Sequence, residues 1–248
     1  MINNTLDFLP PVIAHRGARN RAPENTLAAF KAAWEDGAKW IETDVKLTAD
    51  GIAILMHDDD LDRTTDGKGP VADMSWAEVK KLDAGGWFSP SFKHEPVARL
   101  SDLLGFASKA QMRLNLELKP CPGRTRATVM VALIEAAKLW PETAPLPLIS
   151  SFDVEALTIA AQLHPEWPRG LLLDEWRNDW RELAALVQAA TIHLNANILT
   201  PERIALLRET KRPILAYTVN DAAQAKMLLQ NGVSAVFSDN PGEILKAL

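Results

Sequence analysis

Short apolar runs rich in β-branched residues alternate along the chain with longer stretches whose apolar positions recur every three to four residues. Val12-Ile13-Ala14-His15 is the first short run, and it precedes a helical stretch with Pro23 and Asn25 at its start. Within that stretch Leu27, Phe30 and Trp34 fall on one helical face. Trp40 to Val45 predicts a second strand. Arg113 to Lys119, Leu146 to Ser150, Gly170 to Leu173, Thr191 to Asn195, Ile214 to Val219 and Ser234 to Ser238 predict six more. Helix-start chemistry follows them. Asp153 reads as an N-cap, and Thr200-Pro201 and Asn240-Pro241 each place a cap before Pro at the first helical position. Asn220-Asp221 opens a helix that Gly232 closes. Strand–helix alternation implies an α/β protein with a parallel sheet, and eight such units in 248 residues match a TIM (β/α)8 barrel. A doubly wound open sheet is the alternative, but it needs no eightfold count and the chain has no Gly-rich dinucleotide loop.

One gap in the alternation is long. A ninth strand-like run, Ile52 to His57, follows the second strand after only Lys46 to Gly51, too few residues for a helical crossover. A β-hairpin turning at Asp50-Gly51 fits, and its register returns His57 opposite Glu42 to Asp44. Residues 58–99 then form an insertion rich in Gly, Pro and charge, with Trp76, Trp87, Phe88 and Phe92 as its aromatics. These read as a small satellite core, with a lid as the other reading. Ser101 is expected to cap the helix that rejoins the barrel. The expected organisation is one barrel domain over 1–248 with an inserted subdomain at about 58–99.

Composition narrows the class. Apolar residues at 47% and charged residues at 24% exclude a mainly disordered, fibrous or disulfide-stapled chain. Lys+Arg number 27 against 32 Asp+Glu, a net charge of −5, which argues against a nucleic-acid partner. A single cysteine, Cys121, forbids an intrachain disulfide and fits a reducing compartment. Met1 to Asp7 has no basic and apolar leader pattern, and no apolar run approaches the roughly 18 residues of a membrane span. A cytoplasmic protein without stable membrane insertion is expected.

Candidate chemistry gathers at strand ends. Side chains two apart on a strand share a face, so Glu42 and Asp44 lie together, as do Asn115, Glu117 and Lys119. Charges aimed into a barrel are costly unless paired or metal-bound, and barrel enzymes work at the C-terminal mouth. Three converging carboxylates without Cys suit one divalent cation such as Mg²⁺, Ca²⁺ or Mn²⁺. The competing account pairs Glu117 with Lys119 or Lys46. His15 and His57 end strands at the same mouth and suit general acid and base roles, while Arg16 and Lys119 offer cations to an oxyanion. His94, His164 and His193 read as structural, although His193 and Asn195 also point toward the mouth. The set is a phosphoryl-transfer constellation.

The motifs His15-Arg16-Gly17, Pro23-Glu24-Asn25-Thr26, Ile41-Glu42-Thr43-Asp44-Val45, His57-Asp58 and Leu116-Glu117-Leu118-Lys119 resemble the glycerophosphodiester phosphodiesterase family in order and spacing. Ser150-Ser151-Phe152, Tyr217-Thr218-Val219-Asn220 and the segment from Gly232 to Asp239 extend the likeness over nearly the whole chain. The run from Arg169 to Arg177 resembles the cytoplasmic bacterial member linked to glycerol-3-phosphate uptake. The resemblance implies a TIM barrel with a small insertion after the hairpin, and metal-dependent hydrolysis of small-molecule glycerophosphodiesters to sn-glycerol 3-phosphate and an alcohol. It implies Glu42, Asp44 and Glu117 as metal ligands, His15 and His57 as the acid/base pair, and Arg16 and Lys119 as phosphate contacts. Tyr217 stands where family members often have Trp, which keeps an aromatic wall toward the substrate. Which histidine is the acid, and whether water attacks directly or after a cyclic phosphate forms, stay open. The alternatives are a phospholipase-type phosphodiesterase of the same barrel class and a non-catalytic phosphate-binding barrel.

Overall fold

The computed structural model describes residues 9–248, so the expected leaderless segment Met1 to Asp7 lies outside them. The predicted strands form β1 (Val12–His15), β2 (Trp40–Leu47), β3 (Ala53–Leu55), β4 (Arg113–Leu118), β5 (Leu148–Ser151), β6 (Arg169–Leu173), β7 (Thr191–Asn195), β8 (Ile214–Tyr217) and β9 (Ala235–Ser238). All but β3 run parallel, and the β1–β2 and β1–β9 pairings close them into an eight-stranded barrel. Helices α1 (Leu27–Glu35), α3 (Leu100–Ala110), α4 (Thr125–Leu139), α5 (Val154–Leu163), α6 (Trp180–Leu186), α7 (Pro201–Arg208), α8 (Ala222–Gln230) and α9 (Pro241–Ala247) follow successive barrel strands, and the short α2 (Trp76–Val79) lies in the insertion. This is a TIM barrel. No helix among the described residues is long and apolar enough to cross a membrane.

The core divides as a barrel requires. Leu114, Leu116 and Leu118 of β4 face outward, where the strands pack against Ala29, Phe30, Leu103, Val129 and Leu133 of the helices. Ile13, Trp40, Leu148, Leu215, Ala235 and Phe237 form a separate interior cluster that fills the barrel lumen below the mouth. The lumen is therefore plugged, and chemistry is confined to its upper end.

Strand β2 is long for a reason that bears on the site. Ile41 and Glu42 pair with β1, whereas Val45, Lys46 and Leu47 pair antiparallel with Leu55, Ile54 and Ala53 of β3. The hairpin turns at Asp50-Gly51, where Gly51 holds φ +82. Met56 N–H donates to Asp44 C=O at 3.0 Å, and the next residue, His57, is thereby returned to the mouth. The insertion folds around its own cluster of Leu61, Val71, Val79, Ala84 and Val97, joined by Ile54, Met56 and Cys121. Trp76 packs on that cluster, while Trp87, Phe88 and Phe92 stack edge to face with one another. None of these four aromatics lines the mouth, in line with a satellite core rather than a lid.

Three local expectations are corrected. Thr26, not Pro23 or Asn25, caps α1: its Oγ1 accepts from Ala29 N–H at 3.3 Å. Trp34 shares the α1 stripe but is half exposed, so Phe30 anchors that face. Arg99 rather than Ser101 precedes α3, and Asp102 reaches back to accept from Arg99 N–H at 3.0 Å. Asp153, Thr200 and Asp221 do cap their helices, each accepting from the first-turn backbone.

Candidate active site

Parallel pairing sets Glu42 beside Asn115 and Asp44 beside Glu117. Carboxylate oxygens of Glu42, Asp44 and Glu117 lie within 4.8 Å of one another, and all three side chains are buried. Burial, with Asp44 and Glu117 alongside, pushes the Glu42 carboxyl well above the ordinary range. Burial and the Asp44 charge push Glu117 up to about 7. Burial alone would raise Asp44 too, but the charges of Arg16 and Lys119 hold it well below the ordinary range. Asn25 adds to this, donating from Nδ2 to Asp44 Oδ2 at 2.9 Å.

Two cations face the triad. Arg16 sits at φ +55 on the turn after β1, so its N–H donates to Glu42 Oε2 at 3.0 Å while its Nε lies 3.1 Å from Asp44 Oδ2. Gly17 follows at φ +83, and a Cβ there would lie 2.6 Å from the Ala29 carbonyl carbon of α1. Only glycine lets the turn pack this closely on the helix. Lys119 Nζ lies 3.2 Å from Glu117 Oε1 and 3.7 Å from Asp44 Oδ1. The pairing of Glu117 with Lys119 is thus real, and the convergence of the three acids is real as well. Lys46 is engaged elsewhere, 2.5 Å from Asp59 and 3.0 Å from the Lys119 carbonyl oxygen. Three carboxylates against two cations leave one negative charge, and Glu42 Oε1 and Asp44 Oδ1 are buried with no hydrogen-bond partner among the described residues. An all-oxygen donor set with unpartnered oxygens fits a divalent cation.

Each strand-end histidine is backed by a carboxylate. His15 Nδ1 lies 2.6 Å from Asp239 Oδ1, and His57 Nδ1 lies 2.6 Å from Asp58 Oδ1. A carboxylate only accepts, so the proton resides on Nδ1 in both rings and Nε2 is left for other contacts. His15 Nε2 lies 4.0 Å from Glu42 Oε2. Burial lowers both histidines below their usual value, against the raising effect of the Asp239 hydrogen bond on His15 and of the Asp44 charge on His57. Both are therefore neutral near pH 7 and able to accept a proton. Behind His57 runs a chain of ion pairs. Arg63, from the insertion, donates to Asp58 Oδ2 at 2.6 Å and to Glu24 at 2.8 and 2.9 Å, and Glu24 accepts from Arg16 at 2.9 Å.

Seven of the eight predicted site residues line one cavity of about 380 Å³ at the mouth, and the eighth, Asp44, completes the triad beneath it. Tyr217 forms one wall with Phe152, their rings edge to face at 5.9 Å. Lys119 Nζ lies 5.7 Å from the Phe152 ring centre. His94 and His164 lie outside the cavity, whereas His193 lines it. Sequence reasoning missed Asp239, Arg63 and Phe152 as parts of the site and gave Glu24, Asn25 and Asp58 no role. The last three lay inside quoted motifs, so their proximity to Arg16, Asp44 and His57 was the available signal. Asp239 is 224 residues from His15, and only barrel closure joins them.

The model of the glycerophosphoryl diester phosphodiesterase family matches residues 15–243. A glycerophosphodiester phosphodiesterase of Caldanaerobacter subterraneus subsp. tengcongensis is 32% identical over 238 residues, covering 94% of this chain and 96% of that protein. A glycerophosphodiester phosphodiesterase of Bacillus subtilis is 32% identical, covering 92% and 83%. An Oleispira antarctica phosphodiesterase, solved in complex with the product sn-glycerol-3-phosphate, superposes with a TM-score of 0.96 at 38% identity, over 99% of each chain. A match spanning the whole mouth, from His15 through the last barrel strand, shows that the chain belongs to the glycerophosphoryl diester phosphodiesterase family.

Proposed function

We propose that the protein hydrolyses glycerophosphodiesters to sn-glycerol 3-phosphate and an alcohol, with His15 and His57 moving the protons. The observation that carries this is one cavity holding two carboxylate-backed imidazoles, two cations and a buried triad of acids. Glu42, Asp44 and Glu117 would hold one divalent cation, Mg²⁺, Ca²⁺ or Mn²⁺, which supplies Lewis-acid polarisation of a phosphate oxygen. Arg16 and Lys119 orient the phosphodiester and offset the charge that develops on its oxygens. One histidine Nε2 takes the proton of the attacking hydroxyl. The other delivers a proton to the departing alkoxide as its bond to phosphorus breaks. Asp239 and Asp58 keep each ring in the required tautomer and stabilise its imidazolium form. Tyr217 and Phe152 wall the substrate. The same reading takes 1–248 as one catalytic barrel decorated by 58–99, places it in the cytoplasm, and assigns it no nucleic-acid partner.

A coupled assay of glycerol 3-phosphate release tests this with glycerophosphocholine and glycerophosphoethanolamine, each metal supplied in turn. His15→Ala and His57→Ala should each lose about 10²- to 10⁴-fold in turnover. Release from intact phospholipid vesicles in preference to the soluble diesters would favour a phospholipase. Absence of release with every metal would favour a binding barrel.

A further inference from the structure

Beneath the acid triad the barrel lumen carries polar groups that the proton-transfer machinery does not use. Asn115 lies on β4 beside Glu42, and His193 lies on β7 beside Leu172 and Leu215. Both line the cavity and both are essentially inaccessible from outside it. Asn115 Nδ2 donates to Ser150 Oγ at 2.8 Å, but its Oδ1 has no partner among the described residues. His193 Nε2 lies 2.8 Å from Thr191 Oγ1, but its Nδ1 has none. Tyr217 Oη, on the wall above, is likewise buried and unpartnered. The His193 ring is built into place. It packs against Phe237, and a Cβ on Gly170 would come within 2.5 Å of Nε2. Burial lowers His193 to about 3, so the ring is neutral and does not serve as a cation for phosphate.

Leaving a buried polar atom unpaired costs about 1–3 kcal/mol, and three facing one cavity call for a ligand with several hydroxyls. The neutrality of His193 rules out an anion as that ligand's deep end. A hydroxyl both donates and accepts, so it satisfies His193 Nδ1 in either tautomer and the acceptor Asn115 Oδ1. A second, more open groove of about 600 Å³ leaves the mouth past Asp59, Pro120 and Thr125, sharing His57, Lys119 and Phe152 with the first cavity. A diester seated at the triad thus has one arm in a closed, polar-floored cavity and the other in an open groove. The constant glyceryl arm suits the closed cavity, and the variable alcohol suits the open one.

We infer that Asn115 and His193 form the floor of a polyol subsite that selects the terminal hydroxyl of the glyceryl group. The inference rests on the proposed phosphodiesterase reading. It makes the enzyme selective for the arm that is retained and tolerant of the arm that leaves. Two hydrogen bonds to a neutral hydroxyl, with the loss of both leaving buried groups unpaired, correspond to roughly 10- to 100-fold in kcat/KM.

The test compares glycerophosphocholine with 2-hydroxypropyl phosphocholine, which lacks only that hydroxyl, under saturating metal. The wild-type protein should prefer the first by at least about 10-fold in kcat/KM. His193→Phe and Asn115→Leu should lose most of the preference while still hydrolysing the deoxy compound. Calorimetric binding of sn-glycerol 3-phosphate against 2-hydroxypropyl phosphate to the wild-type protein gives the same comparison without relying on a variant's folding. Equal hydrolysis and equal binding of the paired compounds by wild type overturn the subsite. A preference that survives in both folded variants overturns its assignment to Asn115 and His193. Hydrolysis of neither compound overturns the phosphodiesterase reading itself, and the subsite with it.

Discussion

Asp239→Asn isolates what the carboxylate behind His15 contributes. The substitution keeps the shape of the side chain but removes the charge that accepts from His15 Nδ1 at 2.6 Å. A hydrogen bond to a charged group is worth about 1.5–3 kcal/mol. At about 1.4 kcal/mol per tenfold, kcat should fall roughly 10- to 150-fold. The pH profile should move as well. Burial lowers His15, and the Asp239 hydrogen bond opposes that, so removing the carboxylate lowers His15 further. Whichever limb of the kcat/KM profile His15 controls therefore shifts to lower pH. A shift of the acidic limb identifies His15 as the base, because a base is lost on protonation; a shift of the alkaline limb identifies it as the acid. The coupled release assay between pH 5 and 9 reads both, with circular dichroism melts as the check on folding, since Asp239 also accepts from Asn220 at 2.8 Å. A loss under about 3-fold with both limbs unmoved would show that Asp239 neither orients nor stabilises His15, whose worth as a general acid or base is about 10²–10⁴-fold.

The triad makes metal binding pH-linked. Glu117 is pushed to about 7 and Glu42 above the ordinary range, so a cation must displace protons and its affinity should rise as pH increases through 7. Mg²⁺ titrations by calorimetry in buffers of different ionisation enthalpy should show proton release, and a pH-independent affinity without release would refute the linkage. Glu117→Gln should weaken metal affinity and regain part of its activity at excess metal, whereas full activity at low metal would remove Glu117 from the ligand set. Gly17→Ala should destabilise by about 2 kcal/mol or more through its left-handed backbone and its clash with α1, lowering Tm by roughly 4–8 °C; an unchanged melt would show that the turn relaxes freely.

The sequence by itself determined the eight strand–helix units, the hairpin that returns His57, and the pairing of Glu42 with Asp44 on one face. These are local properties: hydrophobic period, strand alternation, and turn chemistry at Asp50-Gly51. It also marked the conjunction of acids, histidines and cations, because their motifs recur at short spacing. Tertiary structure alone decided what stands behind each of them. Barrel closure brings Asp239 to His15 across 224 residues, and the insertion swings Arg63 between Asp58 and Glu24. Chain position carries no trace of either contact. The division of labour inside the lumen was equally invisible. His193 and Asn115 look like ordinary strand residues, and only the closed barrel shows that Nδ1 and Oδ1 are buried, unpartnered and facing the cavity. Periodicity reports which face a side chain takes, but desolvation and partnering depend on what the other strands bring to that face.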